Sequence, residues 1–138
     1  MNVQTPNTAL LRSRLYSTRD AHPRNTPVHI RSTGPDHRYP RYPCVEGVLD
    51  DSRVQSHVHD FFIRIFVKRK PSLFRVFFKR HRNLPYNSSL KIQGDVVVMR
   101  VSSRNRNSLV NLQSPDIRLL DRSLKKYVQC FSFLSTSS

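Results

Sequence analysis

Hydrophobic positions change their spacing partway along the chain. Val54, Val58, Phe61, Phe62 and Ile65 recur at intervals of three and four, which places them on one face of a helix over about 52–69, with Arg64 and Lys68 off that face. Ser52 followed by Gln55 reads as a capping box, and Asp50 and Asp51 suit the positive end of the helix dipole. Pro71 ends this helix, and Ser72 can cap a second, short one that carries Phe74, Phe77 and Phe78 to about Arg82. A helical hairpin results, cationic outside and lined with phenylalanine inside. Asn83-Leu84-Pro85-Tyr86-Asn87 is a turn by composition. The period then falls to two. Residues 90–92 and 96–101 are strand-like around Gly94-Asp95, and 109–112 follows as a third strand. That predicts a small antiparallel β-meander, with Val97, Met99 and Val101 on one face and Arg100 on the other. Ser114-Pro115-Asp116 is a helix start, and Ile117, Leu120, Leu124, Val128 and Phe131 repeat at three to four residues as an amphipathic C-terminal helix able to cover the sheet. Helix, helix, strands, helix is an α+β order.

The first 43 residues show no such periodicity. Pro6, Pro23, Pro27, Pro35, Pro40 and Pro43 fall here, with no lysine and little aliphatic content after Leu15, so the stretch reads as an extended, disordered basic arm. The tandem Arg38-Tyr39-Pro40-Arg41-Tyr42-Pro43 sets tyrosines beside arginines in extended geometry. The expected organisation is an arm over 1–43, an α+β domain over 44–133 and a disordered tail over 134–138. Arg12, Arg14 and Arg19 among hydroxylated residues, with no acid before them, match the composition of a mitochondrial presequence. Arg14-Leu15-Tyr16-Ser17 is similar to a processing-peptidase site that would leave Ser17 as the new N-terminus. Cys44 and Cys130 lie far apart with no secretory segment ahead of them, which points to an intracellular, reduced setting, in nucleus or cytoplasm unless the presequence directs import. The most apolar run, residues 61–67, is interrupted by Arg64 and is far shorter than the ~20 residues of a membrane-spanning helix.

Charge sharpens the choice of partner. The 138-residue chain carries a net charge of +15, which favours polyanions. Arg64, Lys68, Arg69, Lys70, Arg75, Lys79, Arg80 and Arg82 form one run with no acidic residue among them, interleaved with phenylalanine. Such self-repulsion is costly unless a polyanion relieves it. Arg75, Lys79, Arg80 and Arg82, together with Arg104 and Arg106 of a second basic loop, are therefore the expected nucleic-acid contacts, RNA or DNA. The phenylalanine-rich hairpin offers an alternative contact, with a protein partner or within a mitochondrial assembly, and basic charge beside phenylalanine also suits the surface of an anionic membrane.

Catalytic chemistry has little to stand on. His57-Val58-His59-Asp60 is the one cluster with ligand-type residues, but alternate histidines diverge on a helix, and Cys44, His81 or Cys130 would have to converge on them from a distance. Neither cysteine has a histidine or acid at an informative spacing. Gly34, Gly47 and Gly94 build no phosphate-cradling loop. The chain is expected to be non-enzymatic, with no cofactor and no metal.

Leu84-Pro85-Tyr86-Asn87, Gly94-Asp95-Val96-Val97-Val98-Met99-Arg100, Val110-Asn111 and Asp116-Ile117 together resemble a pattern in small uncharacterised proteins of mushroom-forming (basidiomycete) fungi. The resemblance covers about residues 84–130. Those proteins have no assigned activity, so it implies no site residue and no mechanism. It does imply that the strands and final helix form one unit. It also leaves a second reading, a lineage-restricted open reading frame with no selected biochemical activity.

Overall fold

The computed structural model describes residues 8–17, 20–32, 41–49, 57–79, 94–105 and 108–124. Seven strands and one helix occupy them: β1 (Thr8–Tyr16), β2 (Arg24–Ser32), β3 (Arg41–Pro43), β4 (His59–Val67), β5 (Lys70–Phe78), β6 (Val96–Val101), β7 (Leu109–Val110) and α1 (Ser114–Ser123). All pairings are antiparallel, in the order β3-β2-β1-β6-β5-β4, with β7 paired to β6.

This architecture overturns the expected basic helical hairpin with its separate meander. Where the first helix was expected, residues 59–67 are β4 and Lys68-Arg69 is a turn; where the second was expected, residues 70–78 are β5. His-Asp-Phe-Phe-Ile-Arg-Ile-Phe-Val satisfies both periods, because Phe61, Ile63 and Ile65 alternate as cleanly as Phe61, Phe62 and Ile65 recur. Valine, isoleucine and phenylalanine favour the strand, and pairing of β4 with β5 along their whole length decides it. Pro71 does not break β5, because β5 meets β6 only over Phe74–Phe78, so the missing N–H of Pro71 interrupts no bond to β6. The stretch expected as a disordered arm contributes β1, β2 and β3. In β2, Val28 and Ile30 are buried while Pro27 and His29 are exposed, an alternation hidden by the surrounding prolines. β6 and β7 pair as a meander would, but they belong to this larger sheet. The first expected meander strand, 90–92, lies outside the described residues, as do the capping box over 50–56 and the helix positions Val128 and Phe131.

β6 organises the core because both its faces are covered. Val96 and Val98 face one cluster with Tyr16, Ile63, Phe74, Val76, Phe78, Leu112, Leu120 and Leu124, beneath α1. Val97 and Met99 face a second with Leu11, Leu15, Val28, Ile30 and Phe77, closed by Val45 and Leu49 of the turn after β3. A strand buried on both faces reads as continuous apolar sequence, and Val-Val-Val-Met-Arg-Val does so until Arg100. Arg100 emerges on the helix side, where Nη1 donates to the buried Asp116. Asp116 also accepts from the Gln113 N–H at 2.9 Å, so Gln113 rather than Ser114 is the N-cap.

α1 is pinned to β1 by one carboxylate. Arg14 donates to both oxygens of Asp121, from Nε at 3.1 Å and Nη2 at 2.7 Å, and the Tyr16 hydroxyl donates to Oδ1 at 2.7 Å. Burial pushes the Tyr16 phenol far above its ordinary value of 10.0, and the adjacent Asp121 charge adds to the rise. The raised value favours the protonated form in the fold. Its contribution is therefore complete below about pH 10 and is lost as pH rises further, because the unfolded chain releases that proton and the folded one holds it. Urea unfolding at a series of alkaline pH values should show stability falling by up to about 1.4 kcal/mol per pH unit more steeply in the native chain than in Tyr16→Phe. Equal slopes would contradict this assignment.

Candidate nucleic-acid interface

β4 and β5 form a ribbon that outruns its neighbour. Their register continues through Ile63↔Phe74 to Arg64↔Leu73, Ile65↔Ser72, Phe66↔Pro71 and Val67↔Lys70, whereas β6 pairs with β5 no further than Phe74↔Arg100. The last four register pairs thus extend roughly 13 Å past the β5–β6 ladder, at about 3.3 Å per residue. Arg64, Phe66, Val67, Lys68, Arg69, Lys70 and Pro71 are all exposed there. β4 also ends the strand order among the described residues.

Alternation sorts the side chains of β4. Phe61, Ile63 and Ile65 turn toward the α1 core, so Phe62, Arg64 and Phe66 turn the other way, onto a sheet face that Val45 and Leu49 cover only farther along. Phe62 is 44% exposed and Phe66 62%. Two aromatic rings with an arginine between them therefore face outward on one strand. The tip adds Lys68 and Arg69 with φ of 48° and 70°. Two consecutive residues in the left-handed region make the turn that normally takes Asn-Gly, and side chains with a Cβ adopt it at a cost of about 1 kcal/mol or more each.

The sequence-derived cations divide. Arg75 is held by Asp60, Nε to Oδ2 at 2.6 Å, and its guanidinium lies 5.5 Å from the Phe62 ring centre and 4.9 Å from that of Phe77. Lys79 is buried, and its Nζ is 3.5 Å from the Glu46 carbonyl. Arg104 is exposed in the connection between β6 and β7. Because β5 and β6 are antiparallel, that connection leaves the sheet at the end from which the ribbon projects, whereas Lys79 lies at the opposite end. Arg80, Arg82 and Arg106 lie outside the described residues. The structure thus groups Arg64, Lys68, Arg69 and Lys70 with Arg104 at one end, and ties Arg75 into an ion pair. Those four ribbon cations were visible in the sequence as part of the basic run; their separation from Arg75 and Lys79 depends on strand register, which helical spacing conceals.

Other polar clusters have structural partners. The His57 and His59 rings meet edge to face at 4.8 Å, and His59 stacks on Phe78 at 5.4 Å. Among the described residues no group of three or more histidine, cysteine or acidic side chains converges as a metal site would. An open groove of about 600 Å³ runs between β1–β2 and the segment entering α1, lined by Leu10, Arg12, Asn25, Pro27, Asn111 and Gln113 among others. Asn111 Oδ1 there accepts from the Arg12 N–H, and the Arg12 carbonyl accepts from the Leu112 N–H, so these groups serve the fold. No described helix is long and apolar enough to cross a membrane. Comparison with known proteins finds no match, whether to family models, curated sequences or solved structures.

Proposed function

We propose that the chain is a non-enzymatic module that binds nucleic acid through the projecting β4–β5 ribbon, with Arg64, Lys68, Arg69 and Lys70 meeting phosphates and Arg104 extending the same positive end. The observation that carries this reading is the tip turn. Lys68 and Arg69 sit in backbone conformations that asparagine and glycine would adopt at lower cost, and a basic tip is a reason to bear that strain. Four exposed cations over seven residues, on a ribbon where Asp60 already pairs with Arg75, leave the tip charge without a nearby acidic partner among the described residues.

The same strain supplies the test. Lys68→Asn with Arg69→Gly gives the turn its favoured residues, so the variant should unfold at equal or higher urea concentration than the native chain. It should nevertheless bind a short RNA more weakly, and the slope of log affinity against log salt should flatten by about 1.4, near 0.7 for each phosphate of a single strand that the protein ceases to neutralise. An unchanged affinity and slope in this well-folded variant would remove the ribbon from the account.

A protein partner is the second reading, favoured by the edge position of β4 beside exposed Phe62 and Phe66. Binding of that kind would show little dependence on Lys68 and Arg69 and a shallow salt response.

A further inference from the structure

The ribbon's outward face also bears on the form of nucleic acid. We infer that its ligand is single-stranded, with bases stacked on Phe62 and Phe66 and the intervening backbone held by Arg64; this rests on the nucleic-acid reading above and specifies its substrate class.

Spacing along β4 sets the requirement. Phe62, Arg64 and Phe66 alternate onto the same face, so the two rings stand about 13 Å apart along β4, four residues at about 3.3 Å each. Bases in a stacked strand follow one another at about 3.4 Å, and within a duplex their faces are covered by their neighbours. Neither ring can stack on a base until that base leaves its stack, and two rings at this separation require a strand that is unstacked and drawn out along the ribbon. Single strands meet that requirement at little cost, whereas a duplex must be opened. The rings themselves are available. Phe62 and Phe66 are the most exposed phenylalanines on the described surface, while Phe74, Phe77 and Phe78 are buried in the two cores. The Arg75 guanidinium packs near the Phe62 ring and is held there by Asp60, which fixes the position of the inner platform. Leu73 and Pro71 lie across from Arg64 and Phe66 on β5, so the face beside the rings is apolar rather than acidic. Cationic tip and aromatic face together match a ligand with a charged backbone and flat apolar bases. A polyanion lacking bases would use the tip alone.

Three probes separate the possibilities on the native full chain: a short mixed-sequence single-stranded RNA, the same RNA annealed to its complement, and an abasic oligonucleotide with the same number of phosphates. Fluorescence anisotropy should show the single strand binding on the order of tenfold or more tighter than the abasic strand, and tighter than the duplex. Phe62→Leu with Phe66→Leu, which keeps apolar bulk and removes the flat rings, should erase that margin while leaving the salt slope unchanged. Equal affinity for abasic and base-bearing strands, or a preference for duplex, would overturn the single-strand inference and leave the ribbon as a phosphate-binding element. Retention of the margin in the double variant would also overturn it. Failure of all three probes to bind would remove the nucleic-acid reading itself.

Discussion

Removal of residues 1–43 is expected to abolish the fold. The stretch carries β1, β2 and β3, and β1 is paired on both sides, with β2 over Thr8↔Arg31 to Leu15↔Arg24 and with β6 over Arg14↔Val98 to Tyr16↔Val96. Its loss takes Leu11, Leu15, Val28 and Ile30 from one core and Tyr16 from the other. The four aliphatic side chains alone bury surface worth about 2 kcal/mol each, which is on the scale of the ~5–15 kcal/mol that holds a small domain together. Deletion would also bare the β1-facing edge of β6, a strand whose side chains are almost entirely buried, and so invite aggregation. Far-ultraviolet circular dichroism and amide-resolved NMR of the truncated chain should report an unfolded or aggregated species. A dispersed spectrum from residues 44–138 would show instead that the leading segment is an appendage and that the sheet closes without it.

Phe74→Ala should be among the most damaging single substitutions in the chain. Phe74 is completely buried in the cluster beneath α1 with Val76, Val98, Leu120 and Leu124, and the Arg100 guanidinium lies 5.4 Å from its ring centre. Truncation removes the transfer free energy of the ring and leaves a cavity that two flanking strands and a helix cannot easily collapse, a loss of about 4 kcal/mol. The urea midpoint should fall sharply with little change in the slope of the transition. Phe66→Ala is the matched control. Its ring is 62% exposed at the ribbon end, and stability should move by less than about 0.5 kcal/mol. Comparable losses at both positions would mean that β4 and β5 are not oriented as described.

The contrast between these two phenylalanines shows what could be read from the chain before its structure. Local chemistry was legible. α1 begins where Ser114-Pro115-Asp116 signals a start, and Val97, Met99 and Val101 face away from Arg100 on β6. Residues 59–78 were not, because alternate and helical spacings coincide there. Phenylalanine also occupies both faces of β4, so the polar side that normally identifies a strand is missing. Pairing partners decided the outcome, and those lie elsewhere in the sequence. β1 and β2 were obscured in another way. Proline content suggested an arm, yet Pro27 sits opposite Arg12 at a point where β3 does not reach, since β3 pairs only with Ile30, Arg31 and Ser32, so β2 tolerates its missing donor.

The site was half legible for the same reason. Excess positive charge between Arg64 and Arg82 is a property of composition and needs no structure. Which cations are paired among the described residues is a property of register: β4 sets Phe62 opposite Arg75, which brings Asp60 within reach of that arginine and leaves Arg64 opposite Leu73. Helical spacing carries none of this register, so the expected contacts at Arg75 and Lys79 fall where the sheet instead pairs or buries the side chain.

The most direct test of the account is an amide-resolved NMR titration of the full chain with a short single-stranded RNA at near-physiological salt. The ribbon account predicts shifts concentrated on Phe62, Arg64, Phe66 and the turn at Lys68-Arg69, with smaller changes at Arg104 and none along the opposite end near Lys79. Shifts centred on Lys79 or on the groove beside Arg12, or no shifts at all, would contradict it.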